Sequence, residues 1–273
     1  MNQTSHLLRA RYGHDAEGGA TAGNPVLEQL LSHRSVRAYA SEPLPPGTVE
    51  TLVAAAQSAA SSSNLQVWSV VAVEDPERRR RLSVLAGDQA HIRQAPLLLA
   101  FLADLARLRR VAAQRGIAAE GLDYLETFVM ATVDASLAAQ NAVIAAESLG
   151  LGTVYIGALR NHPEQVAAEL GLPPGVFPVF GLLVGHPDPA VTPAIKPRLP
   201  QEAVLHRETY TLESQDQAVQ RYDRIMAAFY AEQDMHTAGV WSEHSARRVS
   251  GPEQLSGRAR LREALNALGF ALR

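Results

Sequence analysis

Two short basic clusters hold the side chains best suited to bind an acidic group. They are Arg34, Ser35 and Arg37 in the stretch HRSVR, and Lys196 and Arg198 in the stretch KPRL. Two guanidinium groups and a hydroxyl this close in sequence can hold a phosphate and leave one cation for a second acidic group. A short basic run is also typical of a solvated surface. The clusters therefore indicate a phosphate site only in combination with other motifs.

The composition of the chain excludes several kinds of protein. With 273 residues, 47% of them hydrophobic, the chain can build one large α/β domain or two small ones. A formal net charge of −3 argues against a nucleic-acid partner. The absence of cysteine excludes disulfides, thiolate catalysis, cysteine-ligated zinc and iron–sulfur clusters. Because we find neither an apolar run of membrane-spanning length nor a secretory signal, we expect a cytoplasmic protein with no membrane partner.

Hydrophobic periodicity predicts the elements that must position these side chains. We expect helices at residues 44–60, 76–85, 125–149, 218–232 and 255–268, and strands at 67–73, 96–102, 153–156 and 179–184. Strands alternating with helices fit either an α/β or an α+β class. The helix at 125–149 is apolar almost all round, which indicates burial in a core or at a subunit interface.

The first 24 residues differ in composition from the rest of the chain. They are polar and glycine-rich, so we expect residues 1–24 to be a flexible tail. A single domain should then run from residue 25 to residue 273, with a helical C-terminal extension from about 206.

Several familiar catalytic motifs are missing from the sequence. There is no Walker P-loop, no G-x-G-x-x-G fingerprint, no H-E-x-x-H zinc motif and no G-x-S-x-G nucleophile elbow. The nine histidines form no cluster with metal-ligand spacing. Any difficult chemistry must therefore come from a bound cofactor or not occur.

Five motifs in order carry a resemblance to a known family. They are HRSVR, AASSSNLQ at 59–66, GDQAHI at 87–92, AAQNAVIAAESLGLGTVYIGALRN at 138–161, and KPRL. Their order and spacing resemble the nitroreductase family of FMN-dependent oxidoreductases, and most closely its oxygen-insensitive NAD(P)H nitroreductase and flavin reductase branch. The resemblance covers the chain from about residue 25 onward. It implies an α+β fold in which a mixed β-sheet is surrounded by helices in an intertwined homodimer.

The resemblance also implies where FMN would bind. The residues it places at the cofactor are His33, Arg34, Ser35, Arg37, Ser61, Ser63, Gln66, Gln89, Tyr155, Ile156, Gly157, Ala158, Lys196 and Arg198. The two basic clusters would bind the phosphate, and Arg37 would stabilise negative charge on the reduced ring near N1 and O2. Ser61, Ser63 and Gln66 would line the ribityl chain and pyrimidine edge from the partner subunit. An ordinary serine-rich helix end is the alternative for that segment.

The remaining residues of this set would surround the flavin ring. Gln89 resembles a glutamine that hydrogen-bonds the isoalloxazine, with an ordinary loop glutamine as the alternative. Tyr155, Ile156 and Gly157 should follow a strand and pass close to the ring, because glycine permits close approach. Ala158 stands where the family usually has a second glycine.

The implied reaction needs no metal and no catalytic acid or base. Hydride would pass from NADPH or NADH to flavin N5, and then to a nitroaromatic, a quinone or free flavin, with both substrates using one pocket in turn. Two alternatives stay open. One is a dedicated flavin reductase that supplies a partner monooxygenase, and the other is a flavin-binding sensor or storage protein without turnover.

The choice between NADPH and NADH depends on the C-terminal extension. Close relatives carry an arginine, which binds the 2′-phosphate of NADPH, shortly before a TWSDH-like motif. Here the motif is VWSEH at residues 240–244, and the preceding DMHTAG contains no arginine. Arg247 and Arg248 are the nearest substitutes downstream. We therefore expect weak selectivity for NADPH over NADH.

Overall fold

The computed structural model describes residues 3–13, 23–213 and 215–273. Internal contacts divide the chain into two compact units. The first unit comprises Met1–Arg34 and Pro193–Leu255, and the second comprises Ser35–Thr192 and Ser256–Arg273.

The described residues form helices and strands in the following order. The helices are α1 (Gln3–Tyr12), α2 (Pro25–Ser32), α3 (Thr48–Gln57), α4 (Pro76–Leu85), α5 (Ala90–Gln94), α6 (Ala106–Arg115), α7 (Leu125–Ser148), α8 (Pro163–Leu170), α9 (Gln215–Glu232), α10 (Trp241–Arg248) and α11 (Leu261–Ala267). The strands are β1 (Trp68–Val73), β2 (Leu97–Asp104), β3 (Gly152–Ile156) and β4 (Val176–Gly185). Short 3₁₀ helices cover Ser62–Asn64, Glu120–Asp123, Gly157–Asn161, Gln201–Ala203, Pro252–Leu255 and Arg258–Arg260.

The central strands β2 and β4 of the sheet in the second unit are buried on both faces. The strands of this sheet are antiparallel in the order β1-β2-β4-β3. Alternate residues of β2 point to opposite faces, so that Leu98 belongs to one hydrophobic cluster and Leu97 and Leu99 to another. The α+β class is confirmed. In the described residues, the parallel pairing expected of a mixed sheet is limited to a single bridge between Ser35 and Thr153.

The segment that carries Ser35 and Arg37 lies against β3 and β4. Val36 N–H donates to Thr153 O at 2.9 Å. A Cβ atom at Gly152 would lie 2.7 Å from Val36 Cβ, and one at Gly185 would lie 2.8 Å from Tyr39 Cδ1. The two glycines are partners across β3 and β4, and their missing side chains leave room for this close approach. The sheet therefore fixes the second half of the basic stretch.

Helix α7 has two unlike faces. Ala138 and Ala142 are completely buried, and this face packs against α3 and β2. Val129, Val133 and Leu137 follow one another at four-residue spacing and are 47, 50 and 45% exposed. Among the described helices, α7 alone has the length and hydropathy to cross a membrane, but its alanine face fills a core cluster. The predicted burial all round is thus found on one side only within a single chain.

The predicted flexible tail is wrong for residues 3–12, which form α1. Thr4, Leu7 and Arg11 lie at three- and four-residue spacing and are only 3, 5 and 7% exposed. This stripe gives the helix a buried face. The prediction failed because two of its three members are polar, so the stripe does not stand out as hydrophobic periodicity. The prediction for residues 14–22 lies outside the described residues.

Most predicted elements agree with the structure apart from their ends. Helix α4 has the predicted bounds, whereas α3 begins at Thr48 and β4 at Val176. The helix predicted at 255–268 is broken, because Gly257 has a left-handed φ of 83° before Arg258–Arg260. The sequence did not predict α2, α5, α6, α8 or α10.

Candidate functional site

Arg37 lies within electrostatic reach of the GDQAHI segment. Burial lowers the pKa of His91 below its ordinary value, and the positive charge of Arg37 lowers it further. His91 Nε2 is buried and has no hydrogen-bond partner among the described residues. Gln89 precedes α5 and donates from Nε2 to Ala86 O at 2.6 Å. The charge of Arg37 thus acts on His91, two residues from Gln89, within the second unit.

The serine-rich turn is held by a buried carboxylate that the sequence analysis missed. Ser61 Oγ donates to Asp134 Oδ2 at 2.6 Å, and Ser62 N–H donates to Asp134 Oδ1 at 3.1 Å. Gln66 N–H in turn donates to Ser61 Oγ at 2.8 Å. Asp134 lies on α7 and is 2% exposed. The available signal was an acidic residue near the middle of a largely apolar helix.

The backbone of the same turn is unusual. Ser63, Asn64 and Gln66 have φ angles of 48°, 54° and 50°, in the left-handed region that residues other than glycine rarely adopt. Such conformations persist where the surroundings over-determine them, and they cluster at ligand sites. The side chains of all three residues are exposed. The geometry therefore favours a functional turn over an ordinary helix end.

A cavity of about 310 Å³ opens beside this turn. Its lining residues are Val53, Gln57, Ala59, Ser61, Asn64, Gln66, Trp68, Ser69, Val70 and Arg107. Arg107 donates to Gln66 O at 2.8 Å and to Ser69 Oγ at 2.6 Å. These bonds tie the turn to β1, so Arg107 is a second positioning residue without a sequence signal.

The cofactor residues predicted to follow β3 lie partly within the strand. Tyr155 and Ile156 are the last two residues of β3, and Gly157 and Ala158 begin the next 3₁₀ helix. Tyr155 is 38% exposed and packs edge-on against Phe180, with the ring centroids 5.2 Å apart. Ile156 is buried, so only its backbone can face a ligand.

In the first unit, one buried guanidinium links the two basic clusters. Arg11 donates from Nη2 to His33 O at 2.9 Å and from Nη1 to Lys196 O at 2.9 Å. Arg34 follows His33 directly, and Arg34, Lys196 and Arg198 are all exposed. The sequence analysis missed Arg11 because it assigned the residue to a flexible tail.

An aromatic cavity of about 580 Å³ adjoins the KPRL cluster. It is lined by Tyr12, Lys196, Arg198, Leu199, Val204, Tyr222, Met226, Tyr230 and Trp241. Tyr222 donates to Pro197 O at 2.9 Å. Burial raises the pKa of Tyr222, and the nearby Arg198 charge opposes that rise. Aromatic faces beside two cations suit a planar ligand with an acidic group.

The exposed cations fit the phosphate of FMN. In the described part of the chain, no carboxylate forms an ion pair with Arg34, Arg37 or Arg198. Arg198 Nη1 donates to the carbonyl oxygens of Lys196 and Pro197 at 3.3 Å each, which leaves its other donors for phosphate. The donor set therefore suits an anionic cofactor.

Two family models match most of the chain. The model described as "Nitroreductase family" matches residues 30–186, and the model described as "Nitroreductase family, C-terminal domain" matches residues 196–273. Every residue predicted to bind FMN lies within these two stretches. Helix α1 lies in neither.

Individual relatives match over most of their length. The chain is 42% identical over 212 residues to "FMN reductase (NADPH)" of Bacillus subtilis (strain 168), covering 77% of this chain and 84% of the relative. It is 39% identical over 229 residues to "Oxygen-insensitive NADPH nitroreductase" of Salmonella typhimurium, covering 83% of this chain and 91% of the relative. The solved structure of the "NADPH:FMN oxidoreductase from Vibrio harveyi complexed with NAD+" superposes with a TM-score of 0.80 at 37% identity, over 92% of this chain and 100% of that one. The similarity therefore extends well beyond the five motifs.

Proposed function

The chain belongs to the nitroreductase family, and we propose that it is an FMN-dependent oxidoreductase that uses NADPH or NADH to reduce nitroaromatics, quinones or free flavin. The observation that carries the proposal is the coincidence of two facts. The residues assigned to FMN lie within the stretches matched by the family, and the cations among them are exposed.

The phosphate of FMN would be bound by the two basic clusters. Arg34 and Arg198 can each form bidentate bonds, and Lys196 adds a point charge. The Ser35 hydroxyl adds a short donor, and His33 belongs to the same cluster. A charge-assisted contact of this kind contributes about 1.5–3 kcal/mol.

The ring of FMN would be bound by residues of the second unit. Arg37 supplies the positive charge that stabilises a reduced flavin, and Gln89 lies in the segment near it. The end of β3 and the start of the following 3₁₀ helix, from Tyr155 to Ala158, would present backbone N–H groups to the ring.

When bound, FMN supplies hydride acceptance and donation at N5. The residues around it would bind and orient it, and none of them is required to transfer a proton. One pocket would admit the nicotinamide and the acceptor in turn, which gives ping-pong kinetics.

We further propose that the active unit is a homodimer. The exposed apolar row of α7, made of Val129, Val133 and Leu137, is the surface that a second copy would cover, because regularly spaced apolar side chains of this exposure favour association. The Ser61, Ser63 and Gln66 side chains would then serve the flavin of the partner subunit.

Two alternative functions would use the same site. A broad pocket serves both a nitroreductase and a dedicated flavin reductase for a monooxygenase, and one relative is named "FMN reductase (NADPH)". A flavin sensor or storage protein is the non-catalytic alternative. We place the protein in the cytoplasm, with small molecules as its other partners.

Two-substrate steady-state kinetics test the proposal. With NADPH varied at several fixed concentrations of a nitroaromatic or of free FMN, double-reciprocal plots should be parallel lines. Intersecting lines would contradict a shared pocket. The ratio of kcat/KM for the two acceptors separates a nitroreductase from a dedicated flavin reductase.

A further inference from the structure

We propose that Arg11 of α1 positions the cations that bind the FMN phosphate, an inference that rests on the function proposed above. Arg11 is not part of either matched stretch, which begin at residues 30 and 196. Its role follows from its own contacts within the first unit.

Arg11 joins two stretches of chain that are distant in sequence. Its guanidinium donates to Leu31 O at 2.8 Å, to His33 O at 2.9 Å and to Lys196 O at 2.9 Å. Its own carbonyl accepts from Arg198 N–H at 2.8 Å. One residue thus fixes the backbone immediately before Arg34 and the backbone at both Lys196 and Arg198.

The guanidinium acts on these carbonyls and is almost fully buried. Arg11 is 7% exposed, and at least three of its donors are used by carbonyl oxygens. A planar fork can hold several acceptors in fixed directions, which a single ammonium group cannot do. Arg11 is therefore a positioning residue, and the exposed cations make the contacts with phosphate.

The helix that carries Arg11 is itself anchored. Thr4 Oγ1 donates to Glu28 Oε1 of α2 at 3.3 Å, and Leu7 is buried. Gly13 ends the helix with a φ of 69°, and its N–H donates to Arg9 O at 2.7 Å. A Cβ atom at Gly13 would lie 2.8 Å from Ile225 Cγ2 of α9. These contacts hold Arg11 in one place relative to the KPRL cluster.

Arg11 should therefore affect only the binding of the phosphate group of FMN. Riboflavin is FMN without its phosphate, so it shares the ring and ribityl contacts but not the charged ones. Removing Arg11 should let Arg34, Lys196 and Arg198 move apart, which weakens FMN binding and leaves riboflavin binding unchanged.

The test measures dissociation constants of FMN and riboflavin by flavin fluorescence for the purified full-length chain. Arg11→Met should weaken FMN binding about tenfold, because it removes several charge-assisted bonds at once, and should change riboflavin binding by less than about twofold. Arg11→Lys keeps the charge and should still weaken FMN. If Arg11→Met does not fold, the FMN and riboflavin constants of Arg11→Lys provide the test. Arg9→Met removes an exposed arginine from the same helix and should leave both constants unchanged.

The double variant Arg11→Met/Lys196→Met tests whether Arg11 acts through the Lys196 cation. The two losses should be less than additive, because residues that share one function couple energetically. Equal weakening of FMN and riboflavin, or unchanged FMN binding in both Arg11 variants, would overturn this inference while leaving the proposed function intact. A wild-type protein that binds neither flavin would overturn both.

Discussion

Two buried charges of opposite sign organise the two groups of predicted cofactor residues. In the first unit, the guanidinium of Arg11 gathers the carbonyl oxygens of His33 and Lys196. In the second unit, the carboxylate of Asp134 gathers the Ser61 hydroxyl and the Ser62 N–H. Both charges are almost fully buried and satisfied by hydrogen bonds, as buried charges must be. These two residues position the exposed cations of the first unit and the exposed Ser63 and Gln66 side chains of the turn.

The difference between the two groups lies in what they need. The phosphate cations of the first unit need only charge in the right place. The turn of the second unit needs a particular backbone, with three residues in left-handed conformations. We therefore expect substitutions in the first group to change the selectivity for FMN over riboflavin. Substitutions in the second group should change stability or subunit association.

The largest effect should follow from a charge on the exposed face of α7. Leu137→Asp should convert a dimer into a monomer, because an unpaired carboxylate at an apolar interface costs several kcal/mol. Light scattering of the purified protein measures the outcome. Val111→Asp, at a residue of α6 that is 46% exposed against 45% for Leu137, is the matched control and should leave the mass unchanged. A Leu137→Asp protein that stays dimeric would remove this face from the interface.

A single cation of the phosphate cluster should have the next largest effect. Arg34→Ala should weaken FMN binding by roughly tenfold to a hundredfold, since one charge-assisted contact contributes about 1.5–3 kcal/mol. Riboflavin should bind with unchanged affinity. Fluorescence titration with both flavins provides the measurement. Unchanged FMN affinity would mean that Arg34 does not contact the cofactor.

Loss of the buried carboxylate should act on stability. Asp134→Ala leaves the Ser61 hydroxyl and the Ser62 N–H without their acceptor, which lowers the free energy of unfolding by about 1–3 kcal/mol. Urea unfolding followed by circular dichroism measures this change. Ser136→Ala, an exposed position on the same helix, should change stability by less than about 0.5 kcal/mol. Any remaining effect of Asp134→Ala on flavin affinity should be equal for FMN and riboflavin, in contrast to Arg34→Ala.

Replacement of Arg247, an exposed arginine of the C-terminal extension, should have a small effect on the choice between NADPH and NADH. Arg247 on α10 pairs with Glu243 at 3.3 Å, and the two side chains are 67 and 52% exposed. An exposed contact of Arg247 with the 2′-phosphate of NADPH would contribute about 0.2–1 kcal/mol, as exposed ion pairs do. Arg247→Ala should therefore lower kcat/KM for NADPH by less than about fivefold. The value for NADH should not change. A wild-type preference for NADPH above roughly a hundredfold would show that another cation reads the 2′-phosphate strongly.

The smallest effect concerns the pH dependence of stability near Arg37. Burial and the Arg37 charge place the pKa of His91 below its ordinary value of 6.5. The unfolded chain therefore binds more protons than the folded protein between the lowered pKa and 6.5, so the free energy of unfolding falls on acidification through that interval. His91→Gln should make the decrease between about pH 7 and about pH 5 smaller. His236→Gln, at an exposed histidine, should follow the wild type, and an identical decrease in all three proteins would contradict the assignment.

The side chains that could contact a cofactor could be identified from the sequence, whereas the side chains that position them could not. Arg34, Arg37 and Lys196 stand out because basic clusters and motif order are local patterns. Arg11 and Asp134 do not, because each acts on atoms far away in the chain, at separations of 185 residues for Arg11 and Lys196 and 73 for Asp134 and Ser61.

The same distinction applies to the fold. Helices α4 and α7 were predicted with correct or nearly correct bounds, from a charged and an apolar composition respectively. Helix α1 was not, because its buried stripe includes an arginine and a threonine whose burial depends on tertiary hydrogen bonds. The exposed row of α7 could be read as apolar, but periodicity alone does not distinguish a core face from an interface face.

The central claim, that this chain is a flavin enzyme, is tested most directly by the visible spectrum of the purified protein under anaerobic conditions. The account predicts the bands of oxidised FMN, one per subunit, and their bleaching within seconds of adding NADPH or NADH. A protein that cannot be loaded with FMN, or whose bound flavin stays oxidised with both nucleotides, would contradict it.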